Sequence, residues 1–313
     1  MTLRLPLRLG TRGSPLALAQ ARMVKAALAA VEPMLAADDA VEIVVIKTTG
    51  DKVLDRPLAE IGGKGLFTKE IEDGLVAGSL DIAVHSMKDM PTVLPAGLVI
   101  DAVLPREDPR DALIARGPRR IAELPHGLTV GTASLRRAAQ LRALRPDLVV
   151  VPLRGNVQTR LKKLDAGEVG ATFLAMAGLV RLGLAEVVSV PLSPEEMLPA
   201  VAQGAIGIEC HAGNAPVTEL LARINHVPTM TRITAERAFL AALDGSCRTP
   251  IAALAELDGD RLRLRGLVAS PDGRRIERIE AEGAAADARA LGAEAGARIR
   301  VRLDADFFAG RAG

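Results

Sequence analysis

Through the first two-thirds of the chain, short apolar runs alternate with stretches of helical period, joined mostly by short connections. "GTRGSP" leads into "LALAQARMVKAALAAV", with Ser14 as a predicted N-cap and Pro15 at the first helical position. Upstream, Leu3, Leu5, Leu7 and Leu9 alternate as a strand does. "VEIVVIKT" reads as a strand, "GGKG" as a loop, "LFTKEIEDGLVAG" as a helix and "LDIAVHS" as a buried strand. After about residue 110 the theme repeats. "LTVG" runs through "TAS" into "LRRAAQLRALR", "LVVVPL" through "RGN" into "VQTRLKKLDAG", and "ATFLAM" into "AGLVRLG". Parallel strands need a crossover, usually a helix, so this grammar restricts the chain to α/β sheets.

From about residue 226 the grammar changes. "TMTRITAERAFLAAL" is a helix; "IAALAEL", "RLRLRGLVAS" and "RRIERIEA" are strands of an antiparallel meander joined at "DGD" and "PDG"; "ARALGAEAGARIRVRL" closes with a helix. "PAVAQGAIGIEC" is a candidate strand returning to the first domain. The expected division is an α/β domain from 1–104 with 204–224, a second α/β domain from 105–203, and a smaller α+β domain from 225–313.

Forty basic and 38 acidic side chains nearly cancel, so any attraction for anions must come from where the cations lie. Two cysteines, Cys210 and Cys247, allow at most one disulfide, which suits a reducing cytoplasm. Arg4, Arg8 and Arg12 fall where a signal peptide needs an unbroken apolar run, and no window approaches the roughly 18 apolar residues of a membrane span. His85, His126, His211 and His226 show no metal-ligand spacing, so no metal site is expected. "GGKG" lacks the spacing of a P-loop, and no serine elbow of the form GxSxG occurs. With five Phe and no Trp or Tyr, the chain lacks the stacking platforms of a single-strand nucleic-acid binder.

Ligands of open α/β sheets collect at the carboxyl ends of strands, beside helix N-termini. Basic residues gather at several such joints: Arg12, Lys64, the pair Arg136 and Arg137, and Arg154, with Arg160 further along its helix. Each could be a solvated surface charge. Their recurrence favours anion binding, because a cation at a helix N-terminus opposes the macrodipole. In "AVHSMKDMP" a buried run ends in His85, Ser86, Lys88 and Asp89 before Pro91. Asp89 there could move protons or stabilise a cation that develops on a substrate; it could equally be a helix cap or a partner of Lys88. Cys247, in "LDGSCRTP", has Arg248 beside it to favour thiolate, but no local base. An inert buried thiol and a covalent attachment point both remain open for it.

These residues, taken together, resemble the porphobilinogen deaminase family. The resemblance runs through "TRGSPLALAQ", "GGKGLFTKE", "DIAVHSMKDMP", "EDPRDALI", "GTASLRRAAQL", "LRGNVQTRLKKLD", "AGLVRLGL", "QGAIGIEC", "ITAERAFL" and "GSCRTPI", nearly the whole chain. It implies two periplasmic-binding-protein-like (type II) α/β domains plus a C-terminal α+β domain, in a cytoplasmic monomer. It also implies a transferase of tetrapyrrole and haem biosynthesis. Such enzymes join four porphobilinogen molecules into linear hydroxymethylbilane, releasing ammonia at each step, on a dipyrromethane cofactor fixed by a thioether. By motif, Cys247 is that anchor and Asp89 the catalytic carboxylate. Asp89, Ser86, Lys88, Thr132, Ser134, Arg136 and Arg137 match residues that hold the cofactor. Arg12, Ser14, Gln20, Arg154, Arg160, Arg181 and Gln203 match residues around porphobilinogen and the growing oligopyrrole, and Lys64 and Phe67 a loop covering the site.

Each pyrrole carries two carboxylates, which accounts for many Arg in a chain of nearly neutral charge. Four positions depart from the family pattern: Glu60 stands where a Lys is frequent, Ala133 replaces a Ser, and Ala202 and Ser246 each replace a Gly. Without the resemblance, a solute-binding or effector-sensing module is the competing expectation, one that has no use for Cys247 or so many convergent cations.

Overall fold

In the computed structural model, which describes residues 3–52, 67–118, 120–245, 249–304 and 306–307, the strand–helix alternation resolves into two five-stranded sheets. The chain begins with β1 (Leu7–Arg12), α1 (Pro15–Val31), β2 (Val41–Ile46), α2 (Thr49–Lys52), α3 (Lys69–Val76), β3 (Ile82–Ser86) and β4 (Leu98–Val103). It continues through β5 (Asp111–Ala115), β6 (Thr129–Gly131), α4 (Leu135–Leu144), β7 (Val149–Val151), α5 (Val157–Asp165), β8 (Ala171–Ala175), α6 (Met176–Arg181) and β9 (Val190–Pro191). Then come β10 (Ile206–His211), α7 (Ala215–Ala222), α8 (Val227–Ala242), β11 (Ile251–Asp258), β12 (Arg261–Ala269), β13 (Ile276–Ala284) and α9 (Ala288–Arg300).

The first sheet has the order β2-β1-β3-β10-β4, the second β7-β6-β8-β5-β9. In the first, β1 is parallel to β2 and β3, while β10 runs antiparallel between β3 and β4. In the second, β6 is parallel to β7 and β8, and β5 runs antiparallel between β8 and β9. Both sheets share one plan, second-first-third-intruder-fourth, which is the type II periplasmic-binding-protein order expected. The intruder β10 is the returning strand in "GAIGIEC". The third sheet, β11-β12-β13, is the antiparallel meander.

The chain divides into two compact units, Met1–Arg106 with Ala205–Met230, and Glu107–Gly204 with Thr231–Gly313. In the first unit, Leu7, Leu9, Val24, Leu28, Ile82, Val84, Ile206 and Ile208 form the main core, and Ile71, Leu75, Leu80 and Ala83 fill the other face of the sheet. In the second, β5 shows why the sheet is covered on both sides: Leu113 packs with Val130, Leu141 and Phe173, while Ala112 and Ile114 pack with Leu153, Leu174 and Leu179. Ala139 of α4 and Leu198 pack against Ala252, Leu254, Leu267 and Ala269 of the meander.

Local chemistry sets the element ends. Ser14 accepts from Ala17 N–H at 3.3 Å and Pro15 starts α1, as the sequence predicts. Asn156 caps α5 in the same way, accepting from Thr159 N–H at 2.9 Å. The strand begins at Leu7, not Leu3, because Pro6 has no N–H to give a ladder; Leu5 is 44% exposed. No pattern in the sequence sets out β4, β5 or β9.

Ala202 takes φ 57°, left-handed for an L-residue with a Cβ, and is fully buried, its N–H held by Glu236 Oε2 at 2.6 Å. The resemblance noted in the sequence puts glycine at this position, a residue that takes this backbone conformation without strain. Ala202→Gly is expected to stabilise the fold by about 1 kcal/mol by relieving the Cβ clash, seen as a rise of about 2 °C in thermal melting.

Candidate active site

Parallel pairing of β1 and β3 places their carboxyl ends, and the N-terminus of α1, on one edge of the first sheet. There Arg12, Ser14, Gln20, Phe67, Ser86, Lys88 and Asp89 line one cavity. The structure thus brings together those sequence candidates of this unit that lie among the described residues. Gln20, 3% exposed, donates from Nε2 to Ser86 Oγ at 2.8 Å, fixing the last residue of β3. The Arg12 guanidinium lies 4.2 Å from the Phe67 ring centroid, a cation–π contact that holds the charge at the cavity wall.

After Ser86 a single 3₁₀ turn, Met87–Asp89, turns the chain. Met87 is 2% exposed and packs where Gly207 of β10 has no side chain; a Cβ at Gly207 would run into the Met87 Sδ. That buried plug fixes the turn, leaving Lys88 half-buried and Asp89 exposed beside the cavity. An aspartate anchored by its backbone and open to a ligand can act on one.

Behind β3 lies a pair the sequence did not reveal. His85 Nε2 meets Glu209 Oε2 at 2.9 Å, with both side chains buried. Glu72 of α3 is buried too, and desolvation chiefly, with the nearby Glu209 adding to it, raises its carboxyl above the usual range. The available signal was a lone Glu inside the apolar run "AIGIEC", which must find a partner. Cys210, next along, is buried and His211 exposed, on opposite faces of β10 as adjacent strand residues are.

In the second unit the joint between β6 and α4 carries Thr132, Ala133, Ser134, Arg136 and Arg137. Ser134 caps α4, accepting from Arg137 N–H at 3.4 Å, and its own N–H donates to Thr132 Oγ1 at 3.2 Å. Both arginines are 5% exposed and turn onto Asp111, the first residue of β5. Arg137 also donates to the Phe173 carbonyl and Arg136 to that of Leu198, each at 2.8 Å. Asp111 is fully buried, yet the two guanidiniums hold its carboxyl far below the usual carboxylate range against the desolvation that would raise it. From the sequence, an external anion is expected at this joint. Here the fold supplies one of its own, Asp111, which no local sequence signal marks.

The remaining candidates stay within this unit. Arg154 and Arg160 flank the start of α5 half-buried, Arg160 donating from Nε to the Gly155 carbonyl at 2.8 Å. Arg181 ends α6 and donates from Nη2 to the Gly204 carbonyl at 2.6 Å; burial pushes its guanidinium down to about 10 against the pull of Glu107. Gln203, 1% exposed, donates to Asp111 Oδ1 at 2.9 Å and to the Pro109 carbonyl at 2.8 Å. Lys64 and Cys247, with Glu60 and Ser246, lie outside the described residues. Among the described residues no group of His, Cys, Asp and Glu could hold a metal ion, and no helix is long and apolar enough to cross a membrane.

Comparison with known proteins decides among chemistries. Residues 7–219 match the family model described as porphobilinogen deaminase, dipyrromethane cofactor binding domain, and residues 230–300 match porphobilinogen deaminase, C-terminal domain. The chain belongs to the porphobilinogen deaminase family. Within that family, the porphobilinogen deaminase of Paracoccus denitrificans (strain Pd 1222) is 61% identical over 303 residues, 97% of this chain and 96% of the relative. Solved structures similar to it include a YaeC-family lipoprotein from Enterococcus faecalis V583 (14% identity, TM-score 0.43, covering 70% of this chain and 91% of that one). An ABC transporter periplasmic substrate-binding protein from Coxiella burnetii is similar at 13% identity and TM-score 0.41, covering 74% and 96%. At such identities and scores neither bears on ligand or activity. The family match makes the deaminase chain a transferase with a dipyrromethane cofactor.

Proposed function

We propose that the chain joins porphobilinogen units head to tail into linear hydroxymethylbilane, releasing ammonia at each addition, with Asp89 as its catalytic carboxylate and Cys247 as the cofactor anchor. The observation that carries the proposal is the Asp89 carboxylate held at the rim of a cavity that also presents Arg12 and Lys88. Dipyrromethane bears carboxylates and pyrrole N–H groups, and the residues present suit that chemistry. Arg12 and Lys88 offer cations beside an acid, and in the second unit Arg136 Nε is a buried donor with no hydrogen-bond partner among the described residues. Ser86, Lys88, Asp89, Thr132, Ser134, Arg136 and Arg137 would hold the group, which when bound supplies the free pyrrole carbon that accepts the next unit.

The protein's part then follows from charge and position. Arg12, Arg154, Arg160 and Arg181 bind carboxylates of incoming porphobilinogen and the growing chain, with Ser14, Gln20 and Gln203 shaping their surroundings. By motif, Lys64 and Phe67 are assigned to a loop that covers the site. Loss of ammonia leaves positive charge on the substrate pyrrole, and the Asp89 anion, fixed by the Met87 plug, stabilises it where it develops. The same carboxylate then accepts the proton released as the new carbon–carbon bond is completed. Within this proposal the chain works as a cytoplasmic monomer without nucleic acid; the scarcity of cysteine supports the compartment and that of aromatic residues the last point.

Incubation with porphobilinogen should release one ammonia for each porphobilinogen consumed, with a linear tetrapyrrole as product. Binding without ammonia release would leave a solute-binding module as the better description.

A further inference from the structure

Arg136 and Arg137 occupy the first turn of α4, where the helix N-terminus disfavours positive charge, and both side chains are buried. A single carboxylate answers them. Asp111 Oδ2 takes Arg136 Nη1 at 2.7 Å, and Oδ1 takes Arg137 Nη2 at 2.6 Å and Nε at 3.1 Å. Gln203 Nε2 adds a further donor to Oδ1 at 2.9 Å. These three charged side chains are two cations and one anion, so the group carries one uncancelled positive charge away from water, where an unmatched charge is unfavourable. Burial, and then repulsion from Arg137, press the Arg136 guanidinium below its usual value while Asp111 opposes them. A second observation points the same way: Arg136 Nε is itself buried without a hydrogen-bond partner among the described residues.

We infer that Asp111, steadied by Gln203, is a positioning residue for the oligopyrrole site. It fixes two neighbouring guanidiniums, which would otherwise repel and lose their common orientation, and leaves one positive charge to be met by a carboxylate of the bound pyrroles. This rests on the reading above that Arg136 and Arg137 serve the dipyrromethane. Asp111 need not touch the ligand; it acts through the arginines.

The test compares wild type, Asp111→Asn and Gln203→Met, each isolated from a porphyrin-producing host. Folding is scored by circular dichroism and thermal melting, and the covalent dipyrrole by intact mass of the denatured chain. Asp111→Asn is expected to fold with a loaded fraction reduced on the order of tenfold, and Gln203→Met to fold with a smaller loss in the same direction. A purely structural ion cluster would lower the melting temperature and leave the loaded fraction of folded protein unchanged, so either variant folded and fully loaded overturns the inference. If Asp111→Asn does not fold, Gln203→Met decides by the same criterion. A wild-type chain bare of any added mass would instead sink the dipyrromethane reading, and this inference with it.

Discussion

Asp89→Asn is expected to fold like the wild type, carry its covalent dipyrrole, and turn over porphobilinogen about 10²–10⁴-fold more slowly. Asp89 is exposed, so its carboxylate supports no part of the core and its exchange for an amide should cost within about 0.5 kcal/mol of stability. The backbone that carries it is held elsewhere, by Met87 against Gly207. The amide keeps the shape and, on the proposed role of Asp89, would remove both the negative charge facing the developing pyrrole cation and the base that takes up the proton. Ammonia release at saturating porphobilinogen, read beside the melting curve and the intact mass, separates the two effects. Turnover within a few-fold of wild type would remove Asp89 from the chemistry.

Cys247→Ala should yield a chain whose mass is that of the bare sequence and whose condensing activity is lost. The anchor needs a thiolate, and the chain has one alternative, Cys210. That thiol sits buried on β10, where desolvation first, then Asp101 and Glu209, pushes its pKa up to about 12. At neutral pH only about one such thiol in 10⁵ is ionised, so Cys210 cannot stand in. Cys210→Ala should accordingly keep the added mass. If Cys247→Ala kept it instead, the attachment point would lie on another residue.

What the sequence disclosed, and what it hid, divides by distance along the chain. Ser14, Ser134 and the turn that presents Asp89 are local matters, set by an N-cap, a proline or the end of an apolar run, and each stands where the pattern puts it. The Asp111 cluster is not local. Its carboxylate meets arginines 25 and 26 residues away and an amide 92 residues away. An aspartate opening a short apolar run looks no different from one in a loop, so β5 and its first residue passed unread. His85 and Glu209 are separated by 124 positions and meet only because β10 returns beside β3. The arginines at the start of α4 stand out in the sequence for their conflict with the helix dipole. The anion that the structure sets against them is a residue of the protein itself, Asp111.

The place of β10 has a consequence for synthesis. Between β3 and β4 the first sheet has a slot that no earlier strand can fill, and roughly 100 residues separate Val103 from Ile206. On a ribosome adding about 5–20 residues each second, the leading lobe waits on the order of 5–20 s with two strand edges unsatisfied. Every strand of the second sheet has been made by then. Of the two five-stranded sheets, the one that starts first in the message is therefore completed later, and a nascent chain interrupted before Ile206 leaves open edges of the kind on which chaperones and aggregation act.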